Sequence, residues 1–191
     1  MKDIIKICLG VLITVKVVTM LTSSNGSLSD IITDAIGVKK MTDGDTIQIQ
    51  GMGSFSNSTL LSVKKMVEET YHVPTKIVQP IVLSSEHYVD GMVDSDKCIN
   101  EFDDDQNKIL ITNETCYSID HDSKIGGQGE YYGNIVILAK NTTGSMKRVL
   151  IHEIGHNEGL NHCDNKNCIM YGERDNDSNI TDFCDECKKS L

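Results

Sequence analysis

The sequence predicts a mixed α/β domain of the α+β kind, a small twisted sheet with a backing helix and a second, histidine-bearing helix. Three observations predict it. Short runs rich in Ile and Val alternate as strands do. The body opens strand-helix-strand, an order that implies a mixed or parallel sheet. A further strand-like run then leads directly into a segment of helical periodicity. With 191 residues, 39% of them hydrophobic and only two prolines, the chain is long enough for one packed core.

The first segment stands apart from that body. Met1 to Lys6 is polar and basic, and an apolar run from Ile7 to Leu21 follows, broken only by Lys16. Small residues come next, so residues 1–24 read as a secretory signal, with an uncleaved membrane anchor or a buried first strand as the alternatives. Residues 25–44 are polar and turn-rich and read as a linker. The domain proper is expected over 45–191.

Within it, Thr46 to Gln50 alternates as a first strand. From Ser58 to Tyr71 the apolar residues Leu60, Leu61, Val63, Met66 and Val67 recur at helical spacing, with Lys64, Lys65, Glu68 and Glu69 opposite. Thr75 to Leu83 reads as a second strand. Asp90 to Asn107 is strongly acidic and fits no EF-hand spacing, so it reads as one solvated loop. Lys108 to Thr112 and Asn134 to Lys140 are two more strands, separated by a turn at Gly126, Gly127 and Gly129.

The next segment carries chemistry. Ser145 is a candidate N-cap, and Met146, Val149, Leu150 and Ile154 form an apolar stripe. His152 and His156 lie four apart, so both imidazoles leave one helix face and can reach one ion. Glu153 sits beside them as a candidate general base for a zinc-bound water. Gly159 can take the left-handed conformation that ends a helix, which brings His162 back to complete three ligands. Three protein ligands leave zinc an open position, as a catalytic site requires. At average usage, these five residues coincide by chance about once in 100,000 chains of this length. His72, His87 and His121 are isolated and read as surface or hydrogen-bonded residues.

Seven cysteines are many for such a chain, and they cluster. Cys163, Cys168, Cys184 and Cys187 suit a closed tetrahedral zinc, or else two disulfides; the Cys-x-x-Cys spacing favours zinc. An exported chain would leave Cys98 and Cys116 to pair as a disulfide. The net charge of −10 argues against nucleic acid and anionic membranes as partners.

The run His152-Glu153-x-x-His156-x-x-Gly159-x-x-His162-Cys163, followed by Cys168-Ile169-Met170 and Cys184-x-x-Cys187, resembles the archaemetzincins. That resemblance implies a metzincin-like zinc peptidase fold over 45–191. It implies a catalytic zinc on His152, His156 and His162, with Glu153 as the base. It also implies Met170 as the Met-turn beneath the metal, and a structural zinc on the four cysteines in a knuckle over 163–187. Substrate would lie extended along an edge strand near Gly127 to Gly133. Thirteen residues separate Met170 from Cys184, which implies a trimmed loop after the Met-turn. Tyr171 follows Met170 and is expected to pack rather than to stabilise an oxyanion.

The functional expectation is therefore a monomeric zinc metallopeptidase, secreted or periplasmic, acting on a peptide or protein. It would carry two zinc ions and touch a membrane only through an uncleaved leader. The alternative is a catalytically vestigial zinc protein serving as a binding module. A base beside the ligands weighs for the enzyme, because a structural site needs none.

Overall fold

The computed structural model describes residues 40–44, 46–53, 55–140, 145–172, 180 and 182–191. The signal or anchor expected over 1–24, most of the linker and most of the loop expected after Met170 lie outside the described residues. Among the described residues, no helix is long and apolar enough to cross a membrane.

The main sheet is built from β1 (Ile47–Met52), β2 (Thr75–Ile77), β5 (Lys108–Thr112), β8 (Gly127–Gly129) and β9 (Ile135–Ala139). Their order is β2-β1-β5-β9-β8. All neighbours run parallel except β8, which lies antiparallel to β9 on the edge. The sheet is thus mixed, as the strand-helix-strand opening predicts. β5 and β9 are buried on both faces, the expected state of central parallel strands.

Side chains alternate across that sheet and divide the core in two. Ile47, Ile49, Ile109, Ile111, Val136 and Leu138 face the helices α1 (Asn57–Tyr71) and α3 (Met146–Asn157). Met52, Leu110, Ile135, Ile137 and Ala139 face the opposite way, into a cluster with Val93, Cys98, Ile99 and Cys116. Leu61 departs from the helical stripe and is exposed on α1.

Three expectations are corrected. Residues Asp90 to Asn107 are not one loop. Asp90 and Gly91, both with positive φ, turn a hairpin between β3 (Tyr88–Val89) and β4 (Met92–Asp94). Asp94 then accepts a hydrogen bond from Lys97 N and caps α2 (Ser95–Phe102). With β6 (Cys116–Ser118) and β7 (Ser123–Ile125), these strands make a second sheet, β3-β4-β6-β7. The second strand of the domain also stops early, at Ile77, because Pro80 cannot donate to a ladder; only a single bridge from Met52 to Ile81 continues it.

The third correction concerns the supposed linker, whose last residues belong to the domain. Met41 is fully buried in the main core. Its carbonyl accepts from buried Asn107 at 2.7 Å, and Lys40 Nζ reaches the Ser190 carbonyl at 3.0 Å.

Candidate metal centre and active site

Helix α3 places the histidines. Ser145 stands at its N-cap without a side-chain cap bond, and Leu150, Ile151 and Ile154 bury its inner face. The helix ends at Asn157, and Gly159 turns the chain with φ +87°. No side chain fits there in any case, since a Cβ would run into the ring of Tyr132. That turn returns His162 to the other two imidazoles. The three side chains each offer a nitrogen, all within 4.8 Å of one another.

Their orientation is fixed from behind. His152 Nδ1 donates to the Ile169 carbonyl and His156 Nδ1 to the Leu160 carbonyl, both at 2.8 Å. Each bond leaves an Nε2 lone pair facing inward, and the two Nε2 atoms stand 3.1 Å apart. Ligands about 2.05 Å from a tetrahedral zinc would be about 3.3 Å apart, so the donor set fits that ion. Burial, the main cause, pushes His152 down to about 4 and lowers His156 as well, so both are neutral at physiological pH and able to ligate.

Glu153 lies beside the ligands but points at the sheet. Its Oε2 accepts from the Gly129 N–H of edge strand β8 at 2.9 Å. Desolvation of the carboxyl pushes it up to about 8, while the Gly129 bond pulls the other way. A cation on the imidazoles would favour the carboxylate further.

The glycines of β8 make this approach possible. A Cβ on Gly127 would stand 2.7 Å from Val149 Cγ1, and one on Gly129 would meet the Glu153 carbonyl oxygen and Asn157 Oδ1. The stretch expected as a flexible turn is therefore the edge strand itself, laid directly on α3. Asn157, wholly buried, ties the helix to β9 through the Ile135 carbonyl.

Met170 is fully buried in a cluster with Ile151, Leu160, Ile169 and Phe183. Its Sδ would stand 2.5 Å from a Cβ on Gly155 of α3, which places the methionine directly against the ligand helix. Gly172 packs as tightly on the His162 ring, with a Cβ only 2.7 Å from Nδ1.

The four cysteines converge in a second centre. Cys163 and Cys184 have sulfurs 3.8 Å apart and Cys168 and Cys187 3.7 Å, and all four Sγ atoms lie within 4.8 Å. Four thiolates 2.3 Å from a tetrahedral zinc would be about 3.8 Å apart. None of the four is in a disulfide, and their mutual spacing is that of a group able to hold one ion. Backbone N–H groups of Asn165 and Cys184 donate to Cys163 and Cys168, and helix α4 (Asp185–Ser190) carries Cys187.

Cys98 and Cys116 are not joined as expected. Both are free, wholly buried, and packed with Val93 and Ile99 as small apolar side chains. Among the isolated histidines, His87 stacks on Phe102 with centroids 5.4 Å apart and bonds to Ser84, a structural role. His72 caps α1 in the left-handed conformation.

A mixed sheet whose edge strand overhangs a helix of three converging imidazoles and a carboxylate, with Met170 packed against that helix, defines a domain that can hold a metal ion beside its sheet edge. Residues 49–191 match peptidase family M54, and the chain belongs to that family. It is 29% identical over 119 residues to the archaemetzincin of Sulfolobus acidocaldarius, covering 61% of this chain and 66% of that one. This chain thus matches just under two thirds of that relative's length. The fold is that of the archaemetzincin crystal structures from Archaeoglobus fulgidus (TM-score 0.68, 20% identity, covering 77% of this chain and all of that one). The structure from Methanopyrus kandleri is similar too (TM-score 0.63, 18% identity, covering 76% and 92%).

Sequence reasoning missed the glycines packed on the helix, the contact between Gln128 and Asp96, and Glu158. Only the Gly-x-Gly alternation at Gly127 and Gly129 carried a signal. In a strand it marks a close backbone approach.

Proposed function

We propose that the chain is a zinc-dependent peptidase in which Glu153 is the general base, with a second, structural zinc on Cys163, Cys168, Cys184 and Cys187. The observation that carries the reading is the placement of Glu153, partly buried beside three converging imidazoles and held by Gly129. His152, His156 and His162 would hold the catalytic ion. Zinc, when bound there, supplies a Lewis acid and an acidified water.

The chain's own residues do the remaining work. The Ile169 and Leu160 carbonyls keep His152 and His156 in the tautomer that presents Nε2. Gly129 occupies Oε2 of Glu153, so Oε1 is the oxygen left to receive a proton and return it to the leaving amine. β8 is an edge strand of the main sheet, and addition of an extended peptide as a further strand there would supply affinity. The apolar run from Ile7 to Leu21 supports export, with the peptidase acting outside the cytoplasm.

The test is mass-spectrometric cleavage of a diverse peptide library by the zinc-loaded protein beside Glu153→Gln. Cuts made by the wild type and lost in the variant support the reading. Equal cutting by both would remove Glu153 from the chemistry.

A further inference from the structure

Strand β8 is gripped from two sides. Gly127 and Gly129 rest on the ligand helix, and Gln128 between them points the other way, toward the second sheet. There its Nε2 donates to Asp96 Oδ1 at 2.7 Å. Asp96 sits in the first turn of α2 and is the hub of that lobe. Besides Gln128, it accepts from Ile119 N at 2.6 Å, from Asp120 N at 3.3 Å and from the Ser118 hydroxyl at 3.1 Å. A carboxylate accepts only, so it dictates which end of the Gln128 amide faces it. The other end, Oε1, is buried with no partner among the described residues, so the amide's placement depends on Asp96.

We infer that Asp96 is a positioning residue for the catalytic base: through Gln128 it fixes β8 against the ligand helix and so holds the Gly129 N–H on Glu153. The inference rests on the peptidase reading for its catalytic consequence, but its structural content stands apart from it. Three links run in series, from Asp96 to Gln128, along one peptide unit to Gly129, and from Gly129 to Glu153. β8 has β9 on one side only and is three residues long, so its own ladder is short. An edge strand of that length gains its definition from what its side chains touch. Gln128 is the only residue of β8 with a side chain to contribute.

The test follows the Gly129 amide by NMR hydrogen exchange in the zinc-loaded full chain, in wild type, Asp96→Asn and Gln128→Met. Gln128→Met leaves Asp96 its contacts to Ser118, Ile119 and Asp120, so it releases β8 without disturbing the second sheet. The expected result is that Gly129 exchanges about tenfold faster relative to the amides of α3 in both variants, and that in Gln128→Met the amides of α3 and the zinc content stay at wild-type levels. Peptide cleavage should show kcat falling by about tenfold in the same two variants. An unchanged Gly129 amide in Gln128→Met overturns the inference. So does acceleration spread evenly over the chain, which would make Asp96 a general stability residue. If the wild type cleaves no peptide, the peptidase reading fails while the exchange result still decides this one.

Discussion

Glu158 and Thr42, 116 residues apart in sequence, are joined by two hydrogen bonds of 2.8 Å, one from the Thr42 N–H and one from its hydroxyl. Glu158 is the C-cap residue of the ligand helix and only 2% exposed. The residues just upstream of the first strand are thereby fastened between His156 and His162. Thr42→Val leaves one buried carboxylate oxygen without its donor, and the expected loss is about 1–3 kcal/mol of unfolding free energy. Urea denaturation of the two proteins checks it. A truncation beginning at residue 45 also strips Met41 from the core and should be less stable still.

The β8 glycines should tolerate nothing larger. In Gly129→Ala the new methyl meets the Glu153 carbonyl, part of a helical backbone that cannot swing aside. Overpacking of this kind costs about 1–3 kcal/mol and should displace the strand from the helix. Peptide cleavage should fall further than stability does. Gly155→Ala pushes on Met170 Sδ instead, and thermal unfolding of the zinc-loaded protein should report a similar cost.

Asp96 gives the pH dependence. Burial raises its pKa, but the bonds from Gln128, the Asp120 and Ile119 amides and Ser118 outweigh that, and the net shift is downward. A carboxylate lowered in the fold contributes stability that is present above its unfolded value, about 3.9, and is lost as pH falls through the folded value. Asp96→Asn should therefore be less stable at neutral pH, with a flatter loss of stability below about pH 4. Unfolding curves from pH 7 down to pH 3 measure the difference.

Cys98 and Cys116 should behave as inert core residues. Burial, the largest cause, pushes each thiol up to about 12. At pH 8 the thiolate fraction is then on the order of 1 in 10,000, and only the thiolate reacts. Iodoacetamide should leave both unmodified in the native zinc-loaded protein and label both in denaturant. An intact mass showing them already bridged would contradict this.

The metal site was legible because its geometry is local. The spacing of His152, His156 and His162 around Gly159 encodes one helix face and one turn, and the structure places all three imidazoles together. Strands β5 and β9 were legible because burial on both faces leaves runs of Ile, Val and Leu, and β1 because its Ile and Gln residues alternate. The second sheet was not. Its helix α2 is acidic and short, and its signals were the Asp90-Gly91 hairpin pair and the Asp94 cap. The docking of Met41 and Thr42 could not be read at all, since their partners lie 66 and 116 residues away. The disulfide expected of Cys98 and Cys116 came from elimination, and an apolar environment holds them as thiols.

The most direct measurement is a zinc titration of the metal-stripped protein, with bound zinc and peptide cleavage followed together in wild type and Glu153→Gln. The account predicts two zinc ions per chain in both proteins and cleavage in the wild type alone, appearing as the histidine site fills. Cleavage by Glu153→Gln at the wild-type rate would contradict it, as would two filled sites in the wild type with no peptide cut.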